Sequence, residues 1–171
     1  MCKSNWVFII DSDVVLPKNT WKKILPFITK YDAIECDYIN YYPNGSISYS
    51  KRRQRGILLA TLIKKEYLEG VKIPEDMEVY EDEFIKRYVK LKGGSWYHST
   101  IKVKHYPNLP TNEIGYKIGY YGGKYDLKPF WEVIGGLILF HNLVYWNMFC
   151  GWLVSKVEKF KRWFRHEKKD S

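Results

Sequence analysis

Asp11 and Asp13, separated by Ser12, directly follow the apolar run Trp6-Val7-Phe8-Ile9-Ile10. Such a run of large and β-branched residues suits a strand buried on both faces. Ligands of open α/β sheets bind at the carboxyl ends of strands. Two carboxylates there can hold a hard divalent cation, Mg2+ or Mn2+, with phosphates supplying further oxygens. The same residues also suit a solvated turn in which Asp11 or Asp13 caps the next helix. A second acidic group, Glu81-Asp82-Glu83, opens a helical pattern. The helix dipole alone accounts for carboxylates in a first turn. A carboxylate beside a cation-bound diphosphate could also act as general base toward an acceptor hydroxyl. His105 follows a strand-like segment and precedes Tyr106-Pro107. A lone histidine usually packs or faces solvent, but a neutral imidazole could complete a cation's coordination by the two aspartates. His98, in mid-strand, reads as packing or surface.

These groups need elements to position them. Val14 to Pro17 reads as a linker, after which Asn19 or Thr20 can cap a helix from Trp21 to about Lys30, with Trp21, Ile24, Leu25 and Ile28 on one face. Ala33 to Tyr42 reads as a strand, Pro43-Asn44-Gly45 as a turn, and Ile47 to Tyr49 as a returning strand. The segment Ile57 to Tyr67 reads as a second helix or an apolar stretch. Glu81 to Leu91 is helical, with Gly93-Gly94 as its C-cap, and Trp96 to Val103 alternates as a strand does. Asn108 to Pro129, rich in Gly, Tyr and Pro, reads as an irregular connection.

Beyond it the character changes. Phe130 to Val154 is strongly apolar, interrupted by Glu132, His141, Asn142 and Asn147. Its length is near the ~20 residues of a spanning helix, but the interruptions and glycines fit two interfacial helices or a re-entrant hairpin as well. From Lys156 on, Val157, Phe160 and Phe164 form one helical stripe, and Lys156, Lys159, Lys161, Arg162 and Arg165 the other face, with Trp163 at the margin. This is the pattern of a membrane-surface helix; the soluble alternative is a core helix with a solvated basic tail.

The 171 residues allow one domain with an appendage, and an aromatic content of 18% speaks against disorder. A formal charge of +9 points to an anionic partner. The basic residues concentrate in the loop Lys51-Arg52-Arg53-Gln54-Arg55 and in the tail, which matches no nucleic-acid-binding module, so nucleic acid is not an expected partner. Cys2, Cys36 and Cys150 form no zinc or disulfide pattern, consistent with a reducing compartment.

Taken in order, the strand ending in Asp11-Ser12-Asp13, the helix opening Glu81-Asp82 with Arg87 one turn on, Gly93-Gly94, a strand and His105 resemble the inverting family 2 glycosyltransferases of GT-A fold. The resemblance covers about residues 5–106. It implies an α/β fold, an incomplete GT-A-like mixed sheet with flanking helices, extended by a hydrophobic and amphipathic helical tail. The implied division is a partial catalytic domain at 1–112, a Gly/Tyr-rich connection at 113–129 and a membrane-associating tail at 130–171. Asp11 and Asp13 would bind the Mg2+ or Mn2+ and the diphosphate of a nucleotide-sugar donor. Asp82 would be the general base with Glu81 beside it, and His105 a third metal ligand. Arg52, Arg53 and Arg55 could touch phosphate, although a solvated loop explains them equally. The acceptor would be a sugar or a lipid-linked molecule at the cytoplasmic face of a membrane.

In that family the half-domain that holds the nucleotide base precedes the Asp-x-Asp strand, and only ten residues precede Asp11 here. The resemblance therefore implies a fragment, a partner chain that supplies the missing half, or a non-catalytic membrane-associated remnant. An amino-terminal strand ending in Asp-x-Asp also resembles the haloacid dehalogenase-like phosphatases, in which Asp11 would be nucleophile and Asp13 acid/base.

Overall fold

A computed structural model describes residues 4–49, 57–108, 112–140 and 142–167, and at 112 and 163–167 the backbone alone. The basic loop with Arg52, Arg53 and Arg55, together with Cys2 and His141, lies outside the described residues, as do the side chains of Trp163, Phe164 and Arg165. The chain forms two compact units, one of residues 1–73 and 82–109, the other of 74–81 and 110–171.

The first unit is mixed α/β. Its strands are β1 (Trp6–Ile10), β2 (Val14–Val15), β3 (Ala33–Tyr41), β4 (Ile47–Tyr49), β5 (Ala60–Lys64) and β6 (Trp96–His105). They make one sheet in the order β1-β5-β3-β6-β2, with β4 paired to β3. β3 and β6 are parallel and the other pairs antiparallel, so the sheet is mixed. Flanking it are α1 (Thr20–Ile24), α2 (Lys65–Leu68) and α3 (Glu81–Leu91), whose first residue falls in the second unit.

Period-two alternation gives each sheet face its own core. On one face Ile34, Cys36, Ala60, Leu62, Ile101 and Val103 pack with Ile24 of α1. On the other, Ala33 and Ile63 pack with Ile85 and Val89 of α3. Gly93 closes α3 at φ 81°, a left-handed conformation that favours glycine, and the Gly94 N–H donates to Val89 O at 2.9 Å.

Several expectations are corrected. β1 is an edge strand with residues 6–9 half-buried, not a strand buried on both faces. The doubly buried strand is β5, in the segment read as a helix or apolar stretch; a short apolar run does not reveal its type by periodicity. The helix expected to reach Lys30 stops at Ile24, followed by one 3-10 turn at Leu25–Phe27 that carries Pro26. Asn19 occupies the N-cap position at φ 68° without a capping side-chain bond, and the Thr20 hydroxyl instead donates to Pro17 O at 2.7 Å.

The second unit is helical, with α4 (Asn112–Lys124), α5 (Phe130–Phe140) and α6 (Leu143–Glu167). The irregular connection expected at 113–129 is thus mostly a helix, and it packs along α6. Its glycines serve contact rather than looseness. A Cβ on Gly115, Gly119 or Gly123 would lie 2.6 Å from Val144 O, 1.8 Å from Met148 O or 2.1 Å from Ser155 Oγ. From the other side, a Cβ on Gly151 would lie 2.2 Å from Tyr116 O. Small residues four apart let helix backbones approach this closely. Residues 74–81 join this unit through Glu78, which accepts from Lys117 Nζ at 2.6 Å and Tyr121 Oη at 3.2 Å, and through Asp76, which pairs with Lys124. No helix among the described residues is long and apolar enough to cross a membrane.

Candidate active site

β1 and β3 each run antiparallel to β5, and β3 runs parallel to β6. The carboxyl ends of β1, β3 and β6 therefore share one end of the sheet, where α/β folds place their ligands. Asp11 and Asp13 follow β1, Asn40 is near the end of β3, and His105 ends β6. The strand read from the alternation of Trp96 to Val103 ends at this histidine.

A backbone clamp holds the acidic turn. The Asp11 N–H donates to Leu59 O at 3.1 Å and the Val14 N–H to Asp11 O at 3.2 Å. β2 then pairs with the end of β6, Val14 opposite His105, and the Tyr106 N–H donates to Asp13 O at 2.9 Å. Asp13 Oδ2 thereby lies 3.2 Å from His105 Nε2. The other ring nitrogen, Nδ1, is 2.7 Å from Asn40 Oδ1, and Tyr38 meets the imidazole edge-on at 5.9 Å between centroids. In the tautomer whose Nδ1–H donates to Asn40, Nε2 faces Asp13 either as the N–H of an imidazolium or as a lone pair.

Asp82 lies in the first turn of α3, half-buried, with Oδ1 accepting from the Glu83 N–H at 2.7 Å. It acts electrostatically on Asp11. Burial first, and then the neighbouring Asp13, push the Asp11 carboxyl above the usual carboxylate range; His105 opposes the rise and Asp82 adds to it. Asp13, His105 and Asp82 thus each lie within electrostatic range of Asp11, and Asp13 and His105 are in direct contact. Glu81, the first residue of α3, is exposed and belongs to the second unit. Just before it Tyr80, buried, holds φ 78°, a costly conformation for a bulky residue.

The donor set bears on the metal. Among the described residues no three His, Cys, Asp or Glu side chains group closely enough to hold an ion by themselves. Asp13 and His105 offer two donors, with Asp11 beside them. Mg2+ commonly takes only one or two protein carboxylates and fills its octahedron with water and substrate phosphates. Two or three donors leave most of such a shell to water or substrate, so these residues do not make an all-protein cage.

A second polar group lies under α3, around His98, which the sequence reading set aside as packing or surface. Glu35 Oε2 accepts from Trp96 Nε1 at 2.8 Å and lies 3.2 Å from His98 Nδ1; His98 Nε2 is 3.1 Å from Lys86 Nζ. An ammonium only donates, so Nε2 accepts from Lys86 and Nδ1–H is directed at Glu35. Lys86 is 3% exposed. Burial pulls its ammonium below the usual lysine range, against the opposing pull of Glu83, Glu35 and Asp82. This chain ties the helix carrying Asp82 to β3 and β6. Asn40 and Glu35 could have been found only by combining strand alternation with the register of β3 on β6, which no local motif encodes. A cleft of about 430 Å³ lined by Asn5, Trp6, Lys64, Lys65, Glu66 and Glu69 lies toward the start of β1, away from the acidic turn.

No protein-family model matches this chain, and no curated protein matches it by sequence.

Proposed function

We propose that the chain carries the metal-binding and acceptor side of an inverting, metal-dependent glycosyltransferase of the GT-A, family 2 type. The observation that carries this reading is the contact of Asp13 with His105 at 3.2 Å where β1 and β6 end, with Asp82 in electrostatic range of the neighbouring Asp11. Asp13 and Asp82 both raise the Asp11 carboxyl, a repulsion that a bound cation would relieve. Asp13 and His105, with Asp11 beside them, would hold Mg2+ or Mn2+. The bound cation would neutralise the leaving diphosphate of a nucleotide-sugar donor. Asp82 would accept the proton of the acceptor hydroxyl as the new C–O bond forms and the bond to the diphosphate breaks, inverting the anomeric carbon. The clamp on Asp13 and the Glu35-His98-Lys86 tie supply the orientation that such a displacement needs. β1 stands at the sheet edge, where a nucleotide-binding half from a partner chain or a longer chain would continue the sheet. The acceptor is a sugar or a lipid-linked molecule at the cytoplasmic face of a membrane.

The test is thermal unfolding of the full chain with nucleoside diphosphates, with and without Mn2+, followed by a screen for sugar transfer and donor hydrolysis. The expected result is a Mn2+-dependent rise with at least one nucleoside diphosphate, lost in Asp13→Ala and retained in Asp82→Asn, with turnover lost in both. The absence of any Mn2+-dependent shift would refute the reading. Phosphate release from a simple phosphoester, abolished in Asp11→Asn, would replace it with the phosphatase. Lipid binding unaffected by Asp13→Ala and Asp82→Ala, with no turnover, would leave a non-catalytic remnant.

A further inference from the structure

The second unit presents a large apolar surface to solvent. On α6 the face turned from α4 carries Leu143, Trp146, Leu153, Val154, Val157 and Phe160, each between 39% and 61% exposed. Their spacing is that of one helical stripe, which at 1.5 Å per residue is about 26 Å long. On α5, Trp131 is 78% exposed, Leu139 74%, Ile138 61% and Phe140 57%. Single exposed apolar residues are ordinary, but two adjoining faces of this kind mark an interaction surface.

Charge identifies the occupant. The stripe runs into exposed Lys161; Arg162, also exposed, lies 3.8 Å from Glu158, and the sequence continues with Arg165, Lys168 and Lys169. A second copy would bring one +9 chain against another, whereas an anionic surface meets the stripe with opposite sign. Trp131 and Trp146 are the side-chain type that gathers at the boundary between acyl chains and headgroups. Eleven residues make α5 about 16 Å long, roughly half the hydrocarbon thickness, so an orientation in the plane of the interface suits it.

We infer that α5 and the outward stripe of α6 form an in-plane docking surface for a bilayer bearing anionic lipid headgroups, with the basic end of α6 against the phosphates. The inference extends the membrane side of the proposed function and is independent of the acidic site. Lys156 and Lys159 take a different part: both pair with Asp126 and brace α6 within the unit.

The test is co-sedimentation of the full chain, without nucleotide or metal, with phosphatidylcholine vesicles with and without phosphatidylserine. Leu139→Glu combined with Leu143→Glu and Val157→Glu, all at exposed positions, is expected to weaken binding at least about tenfold. Lys161→Glu with Arg162→Glu is expected to lower the preference for phosphatidylserine by about tenfold. Circular dichroism of both variants should match the parent chain. In the parent chain brominated lipids should quench tryptophan fluorescence, and the quenching should fall in Trp131→Phe with Trp146→Phe. Three results would overturn the inference: apolar variants that pellet as the parent does, the absence of quenching, or a parent dimer that the apolar variant dissociates while lipid binding is unchanged. Vesicle binding by a chain that shows no Mn2+-dependent nucleotide shift would fail the catalytic reading alone, and such a shift in a chain that ignores vesicles would fail this one alone.

Discussion

Two glycine-to-alanine changes in the helical unit should move stability in opposite directions. Gly119 faces the backbone of α6, and an added Cβ would stand 1.8 Å from Met148 O, where real Cβ atoms essentially never come within 3.0 Å. The obstacle is main chain, so no side-chain rotation relieves it. The helices must part by more than about 1 Å, and this opens neighbouring contacts at Gly115, Gly123 and Gly151. Overpacking of this kind costs about 1–3 kcal/mol, and a forced separation along the seam lies at the upper end. Alanine's better helix propensity returns about 1 kcal/mol. Gly119→Ala should therefore destabilise the unit by about 2 kcal/mol. Gly135, inside α5, has nothing within 4 Å of its Cβ position, so Gly135→Ala keeps only the propensity gain, about 0.5–1 kcal/mol of stabilisation. Urea unfolding followed by far-ultraviolet circular dichroism compares the two midpoints. A Gly119→Ala chain as stable as the parent would refute the close seam, whatever Gly135→Ala does.

Asp11→Asn should raise the thermal midpoint near neutral pH without divalent cation. The folded carboxyl sits above its unfolded value, so its contribution is fully present below the unfolded pKa and lost as pH rises through the folded one; the variant's advantage should vanish toward about pH 4, and an equal gain at both ends would sink this account. Glu35→Gln should destabilise the first unit by about 2 kcal/mol in urea unfolding, because it leaves the buried Lys86-His98 pair without its carboxylate; an unchanged midpoint would show that the tie is slack. Cys36, whose buried thiol is pushed up to about 11, should stay unmodified by a maleimide under native conditions, whereas the exposed Cys150 should react and become shielded by anionic vesicles, as peptide mass spectrometry can report.

Chemistry-bearing residue types and local stops were legible in the chain itself. Asp11-Ser12-Asp13 after an apolar run, the Glu81–Leu91 helix ended by Gly93, and the strand leading to His105 all depend on neighbours a few residues away, and local propensity and spacing encode such features. The apolar, basic character of the last forty residues was equally visible. Only tertiary structure decided the rest. It made Ala60–Lys64 the central buried strand and Trp6–Ile10 an edge, because pairing partners, not composition, set a strand's place in a sheet. It turned the glycines of residues 112–124 from loop signals into a helix seam, since a glycine's missing Cβ serves a turn and a close helix contact alike, and only the partner distinguishes them. It also put Asn40 against His105 and His98 between Lys86 and Glu35, contacts between residues far apart in the chain that exist only through the register of β3 on β6 and the docking of α3.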